Sequence, residues 1–368
     1  MTPHDLPVGR GGALHVADAL SEPVLSVLGP ALATLHEAGM AQTLVLLDRP
    51  EHASRFAQLH DAVRVVRVPA SGRLWPPWRP LREALRECLQ AQQPHTVHFH
   101  GSVAWLSGMG LDYASRNVFV TPHGGRLAHL TATLLRVQRW TPTAPIPVAS
   151  SFFDALALQH DGLDSPLVEG VVADEYLWAP RRTASQAVVV SGTHHDDPTA
   201  VDIACRAAVA FGAAELQLKF RWCGAVGPES ASRLQAAGVD VCADDPLPRL
   251  QRAWVYLAGG SETQFPVRLA QAMACGVPCL AADGPVHRSL IEDGHTGLLF
   301  RSAEEAALML GALIDDEALR QRLGDAARTV ARQRFSAQRL RSDLASLYSR
   351  SAPEAGGPSS RIEPAAET

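Results

Sequence analysis

At 368 residues, 46% hydrophobic and 19% charged, the chain is too long for one small core and suits two α/β domains of about 150 to 180 residues each. A net charge of −5 and a pI near 6.3 argue against a broad nucleic-acid surface. Without an apolar run of about 18 residues, no membrane-spanning helix is expected, and MTPHDLPVGRGG at the start has no basic region followed by an apolar core, so no secretory signal is expected.

Six cysteines, none in a C-x-x-C pair, read as reduced, partly buried thiols of a cytoplasmic protein. Lys219 is the sole lysine among the 33 basic residues, which genomic base bias explains.

In chain order, ALHVADA at 13–19 reads as a strand and 24–38 as a helix ending at Gly39. QTLVLL at 42–47 and VRVVRV at 63–68 are strands, and 80–92 is an amphipathic helix with Leu81, Leu85 and Leu89 four apart. HTVHFH at 95–100 is a strand followed by Gly101 and a small-residue helix, and NVFVT at 117–121 runs into Pro122-His123-Gly124-Gly125. The rhythm repeats from AVVVS at 187–191 through 217–222, 239–242, 254–257, 278–281 and GLLF at 297–300.

Apolar strands alternating with helices imply parallel sheets covered on both faces, a doubly wound α/β architecture. Two such Rossmann-like halves are expected, 1–178 and 179–335, which the family resemblance given below would make the acceptor side and the nucleotide-sugar side. A helix over 336–350 returns to the first half, and 351–368 is a disordered tail rich in small residues.

The stretch from Ser261 to Phe300, SETQFPVRLAQAMACGVPCLAADGPVHRSLIEDGHTGLLF, carries the functional signal. A helix beginning near Pro266 suits that residue's missing N–H. The unpaired donors of its first turn make 263–267 an anion site. Arg268 and Gln271, three apart, share a helix face, so a phosphate at the helix start would bring a ribose to Gln271. The competing reading is a well-capped buried helix.

This AMACGVP segment followed by EDGHTGLLF resembles the C-terminal domain of the retaining glycosyltransferases of family 4. His98-Phe99-His100-Gly101, Thr121-Pro122-His123-Gly124, Glu169-Gly170-Val171-Val172 and Trp222-Cys223-Gly224 are similar, in the right order, to further family segments. The resemblance implies a GT-B fold: two doubly wound Rossmann-like domains facing across a cleft. It implies transfer of a sugar, with retention, from a nucleoside-diphosphate sugar to a glycan or lipid-linked acceptor in polysaccharide or glycoconjugate synthesis. The donor-site residues it points to are Glu262, Thr263, Gln264, Phe265, Pro266, Val267, Arg268 and Gln271, with Gly192 and Gly224 at strand ends. His123 is the candidate catalytic residue, bonding a sugar hydroxyl or steadying a proton; the plainer alternative is a structural histidine in its own turn.

The sequence departs from the family pattern at several points. Thr263 and Gln271 stand at the two usual glutamate positions, and an amide accepts a ribose hydroxyl less strongly than a carboxylate. Thr193 and Pro198 stand at the usual arginine and lysine that hold the diphosphate, and the Gly-rich loop after the first strand is missing. Arg268, or His194 and His195, are the substitutes, against an Arg268 anchored to a nearby carboxylate.

The segment His194-His195-Asp196-Asp197 invites a metal reading, but neighbouring loop residues rarely converge on one ion without distant partners. No D-x-D pair ends a strand in the expected cleft, so no metal and no cofactor beyond the donor sugar nucleotide is expected. Trp75 and Trp78, set among prolines and arginines, suit either peripheral contact at the inner face of the membrane or packing onto their own domain. Two rival functions remain: a noncatalytic GT-B subunit beside an active partner, which the missing basic pair favours, and a UDP-sugar isomerase, which would need a carboxylate acid/base set.

Overall fold

The structure, a computed structural model, describes residues 12–59, 61–70, 78–113, 116–123, 128–138, 144–193, 196–212, 218–224, 226–242, 245–260 and 264–348. Strands β1 (Ala13–Ala17), β2 (Gln42–Asp48), β3 (Arg64–Pro69), β4 (Thr96–His100), β5 (Asn117–Thr121) and β6 (Ile146–Pro147) form a parallel sheet in the order β3-β2-β1-β4-β5-β6. Helices α1 (Glu22–Glu37), α2 (Trp78–Gln92), α3 (Ser102–Gly108), α4 (Ala128–Gln138) and α5 (Phe152–His160) connect them, with a 3-10 helix at Pro50–Gln58. Strands β1, β4 and β5 are buried along their whole length, as parallel strands covered on both faces must be.

After α6 (Asp174–Leu177), the second half repeats the plan. Strands β7 (Val188–Ser191), β8 (Lys219–Cys223), β9 (Val239–Cys242), β10 (Val255–Ala258), β11 (Cys279–Ala282) and β12 (Leu298–Phe300) lie in the order β12-β11-β10-β7-β8-β9. Between them run α7 (Pro198–Gly212), α8 (Pro228–Ala236), α9 (Leu247–Arg252), α10 (Val267–Ala274) and α11 (Pro285–Leu290), and after β12 come α12 (Ala303–Asp315), α13 (Glu317–Arg334) and α14 (Ala337–Tyr348). Numbered within its own half, each sheet has the order 3-2-1-4-5-6. That order reverses direction between β1 and β4 and again between β7 and β10, and ligands of open α/β sheets gather at such points.

The chain crosses between halves earlier than the expected 178/179 boundary. Val172, Tyr176, Leu177 and Ala179 belong to the core of the second sheet, so the crossing lies at 169–173. Its backbone is bonded to both sides: Val171 N–H donates to Ser26 O on α1 (2.8 Å), and Val172 N–H to Phe335 O just past α13 (3.0 Å). The buried Glu169 takes a two-pronged bond from Arg334 (2.6 and 2.7 Å), and Arg339 donates to the carbonyls of Glu169 and Gly170. A side chain on Gly170 would meet Ser26 Oγ and the Phe265 ring, so close approach requires glycine there.

Helix α14 then packs back on the first half, where Leu340, Leu344, Leu347 and Tyr348 join the core of Val27, Leu35 and Phe119. Trp78 opens α2 half-buried. Trp75, the His194-His195 pair and the 351–368 tail lie outside the described residues.

Candidate active site

At the carboxyl end of the first sheet the register aligns His15 on β1 with His98 on β4. Since side chains alternate along a strand, His98 and His100 share a face, and the two rings stack with centroids 4.2 Å apart. His15 Nδ1 lies 3.2 Å from His100 Nε2, and His100 Nδ1 lies 3.0 Å from His123 Nε2. His98 is held separately, Nδ1 by the Tyr348 hydroxyl and Nε2 by Thr121 Oγ1, both at 2.8 Å.

All four rings are buried. Burial pushes the pKa of His15 down to about 4 and that of His123 down to about 3. Burial, then the neighbouring histidines, hold His98 and His100 well below the usual value. The cluster is therefore neutral at pH 7.

His123 follows β5 with φ +55°, a left-handed backbone that a bulky residue rarely adopts and that persists only where the surroundings hold it. Among the described residues its Nδ1 is buried with no hydrogen-bond partner, as is His15 Nε2.

His15, His98 and His100 bring ring nitrogens within 4.8 Å of one another, a group that could hold a metal ion. Ligands of one ion radiate from it with their in-plane lone pairs converging, whereas His98 and His100 are stacked and both His98 nitrogens are engaged. Hydrogen bonding accounts for the arrangement better than coordination.

The β1–α1 turn lacks glycine and is tied down instead. Leu20 N–H donates to His52 Nε2 (3.2 Å) and Arg55 Nη1 to Leu20 O (2.5 Å). Asp18 Oδ2 takes the N–H groups of Val103 and Ala104 at the start of α3 (2.7 and 3.1 Å) and fills the space beside Gly101, whose φ is +102°. Burial raises the Asp18 pKa and those two donors pull it back.

At the corresponding end of the second sheet, small residues dominate. Gly192 and Gly224 press on each other's turns: a Cβ at Gly192 would meet Cys223 O, and one at Gly224 would meet Thr193 O. Their lack of a side chain serves this mutual approach, a reason for glycine that needs no ligand. Thr193 is buried, and Pro198 opens α7, where its missing N–H costs nothing. Asp197 Oδ1 accepts from Thr199 N–H and Ala200 N–H (2.9 and 3.2 Å), so the α7 start is already capped by a carboxylate.

Helix α10 starts at Val267 with Pro266 as its cap residue, in keeping with the expected start near Pro266. Phe265, expected to touch the nucleotide, is instead fully buried against Phe335, with centroids 5.4 Å apart, and its ring closes on Gly170. Gln264 reaches across the interface, its Nε2 donating to His123 O at 2.5 Å.

Arg268 and Gln271 do share a face, with Arg268 Nη1 donating to Gln271 Oε1 at 2.9 Å. Arg268 also pairs at 3.1 Å with Glu22, the first residue of α1, so the anchored-arginine alternative is the one observed. Val267, Gln271 and Glu22 border a cavity of about 440 Å³ against Leu25, Ser26 and Val171. The structure thus brings Gln264 to the His123 carbonyl, and Val267, Arg268 and Gln271 to α1 of the first domain. Glu262 and Thr263 lie outside the described residues. Sequence reading missed His15 and Glu22, each of which acts on a partner from a distant element, and it weighed Asp197 only within a metal reading, whereas its carboxylate caps the helix that follows it.

Residues 242–330 match the family model described as glycosyl transferases group 1. No curated protein matches the chain. Over 92% of its length the chain is similar to a glycosyltransferase from Rickettsia africae ESF-5, with a TM-score of 0.75 and 10% identity over 98% of that chain. A sucrose-phosphate synthase from Thermosynechococcus elongatus gives a TM-score of 0.71 with 17% identity, covering 92% of this chain and 98% of its own. HepE from Anabaena, solved in complex with UDP and glucose, gives 0.71 with 15% identity, covering 91% and 99%.

The two six-stranded parallel sheets with flanking helices are the GT-B fold of these glycosyltransferases. The group 1 match falls on the half that contains α10.

Proposed function

We propose that the protein is a glycosyltransferase that moves a sugar, with retention, from a nucleoside-diphosphate sugar to a glycan or lipid-linked acceptor. The observation that carries this reading is the placement of α10. Within the matched segment, its first turn meets the first domain, Gln264 bonding His123 and Gln271 bordering an interdomain cavity. That HepE binds UDP and glucose in the same fold supports a sugar-nucleotide donor.

In this reading the protein orients the donor and excludes water between its domains. Gln271 accepts a ribose hydroxyl, His123 Nδ1 meets a sugar hydroxyl, and Arg268 leaves Glu22 for the diphosphate. Fixed groups facing a developing charge are each worth about 3 to 4 kcal/mol, so Arg268 is central. A thermal-shift and sugar-release screen over UDP, GDP and ADP sugars tests the reading. A nucleotide at about 100 times its Kd adds about 2.7 kcal/mol of stability; if none raises the Tm and no sugar is released, the enzyme reading fails. Unchanged nucleotide affinity in Arg268→Ala would remove Arg268 from the phosphate role.

One observation favours a second reading. Arg268 is neutralised by Glu22, and Thr193 and Pro198 stand where cations are expected, which suits a noncatalytic GT-B subunit. Nucleotide binding without turnover is its signature.

A further inference from the structure

Helix α1 carries a proline near its middle, Pro30 within Glu22–Glu37. A proline there has no N–H for the carbonyl four residues back, and its ring presses on that carbonyl. The residue four back is Ser26. Its carbonyl cannot take the bond that residue 30 of a regular helix would supply, and a main-chain acceptor without a partner is costly. The partner it has comes from the domain crossing, where Val171 N–H donates to Ser26 O at 2.8 Å.

Neighbouring contacts converge on the same turn of α1. Ser26 Oγ folds back on Pro23 O at 2.8 Å, and Gly170 lies so close that a Cβ there would collide with that hydroxyl. The next amide along the crossing, Val172 N–H, bonds to the other side, to Phe335 O at 3.0 Å. One amide thus holds the crossing to the first domain and the next holds it to the second. Glu22, four residues before Ser26, lies on the same face of α1 and pairs with Arg268 of α10. Pro30, Ser26 and Glu22 all border the cavity that α1 shares with Val171, Val267 and Gln271.

We propose that Pro30 is a positioning residue of the domain hinge: by withholding an N–H it opens a main-chain acceptor on α1, and the crossing is clamped there. The second domain then turns about a point fixed on α1, one helical turn, or about 6 Å of axis, from Glu22. The clamp itself needs no ligand. Its bearing on catalysis rests on the sugar-transfer reading, in which α10 must return to the same place on α1 at each closure.

Hydrogen–deuterium exchange resolved to single amides, on the ligand-free protein, tests the clamp. Pro30→Ala restores an N–H that competes for Ser26 O. Val171 should then exchange at least about tenfold faster, while Val172 stays as it was. The Tm should hold or rise, because proline inside a helix is the costlier residue. Unchanged protection at Val171 overturns the proposal. So does a lower Tm with faster exchange at both amides, which would reduce Pro30 to packing. Ser26→Ala removes the hydroxyl and keeps the carbonyl, so Val171 should stay protected; a loss equal to that in Pro30→Ala would place the anchor in the side chain and overturn the proposal too.

Small-angle X-ray scattering should show a wider spread of domain separations in Pro30→Ala than in the parent protein, and an identical spread overturns the hinge role. Faster Val171 exchange with a wider spread, in a protein that binds no nucleotide, leaves the proposal standing and removes the sugar-transfer reading. Unchanged Val171 exchange in an active enzyme does the reverse.

Discussion

The two sheets share one strand order yet end in opposite chemistry. The reversal point of the first is filled by rings, with His15, His98 and His100 stacked and capped by Tyr348 from the far end of the chain. That of the second is trimmed to Gly192, Gly224, Gly259 and Gly260, with Asp197 close to Gly260. Topology alone therefore does not assign a role. The first end is built to hold one side chain, His123, in a fixed pose; the second keeps backbone close to backbone. Between them, the contacts from Gln264 to His123 and from Arg268 to Glu22 join a rigid polar cluster to a helix start.

The largest expected effect exploits the contrast in titratable groups. The folded pKa values of the histidines lie below their unfolded value near 6.5, so below that pH the unfolded state binds more protons and stability falls. The loss runs from about pH 6.5 down to about 4 for His15 and about 3 for His123, on the order of 3 kcal/mol for one such ring. Urea unfolding from pH 7 to 5 should show a falling midpoint, and His15→Phe should flatten that slope; an unchanged slope would mean the cluster is already hydrated.

Next in size is the crossing that sets one sheet against the other. Arg334→Ala leaves the buried Glu169 carboxylate without its two-pronged partner and should cost about 2 to 4 kcal/mol. Arg334→Ala/Glu169→Gln should recover part of that, as a double-mutant cycle in urea would reveal.

Gly224→Ala probes the trimmed end. Its new methyl group meets Thr193 O, and overpacking of this kind costs about 1 to 3 kcal/mol; thermal unfolding measures it. A neutral outcome would mean that the two turns separate freely.

The smallest effect belongs to Glu22→Gln. It removes the charge that occupies Arg268, so stability should change by less than about 1 kcal/mol while UDP binding, followed calorimetrically, tightens several-fold. Weaker binding would show that Glu22 holds Arg268 in its working pose.

The sequence by itself determined the architecture. Apolar runs such as QTLVLL and NVFVT became β2 and β5, and the AMACG segment became the end of α10 at Gly276, whose φ is +71°. Local pattern suffices there because strand burial and helix termination depend on neighbours in the chain.

Other features only the tertiary structure decided. His15 sits in an ordinary strand pattern, and its partnership with His100 exists because the 3-2-1-4-5-6 order lays β1 beside β4. Phe265 reads as a cleft residue in its local motif, yet it packs on Phe335 from the end of α13. The occupation of Arg268 by Glu22 joins residues from opposite domains. Periodicity records which way a side chain faces; which charge or ring it meets depends on strand order and on where the chain crosses, and those are properties of the packed whole.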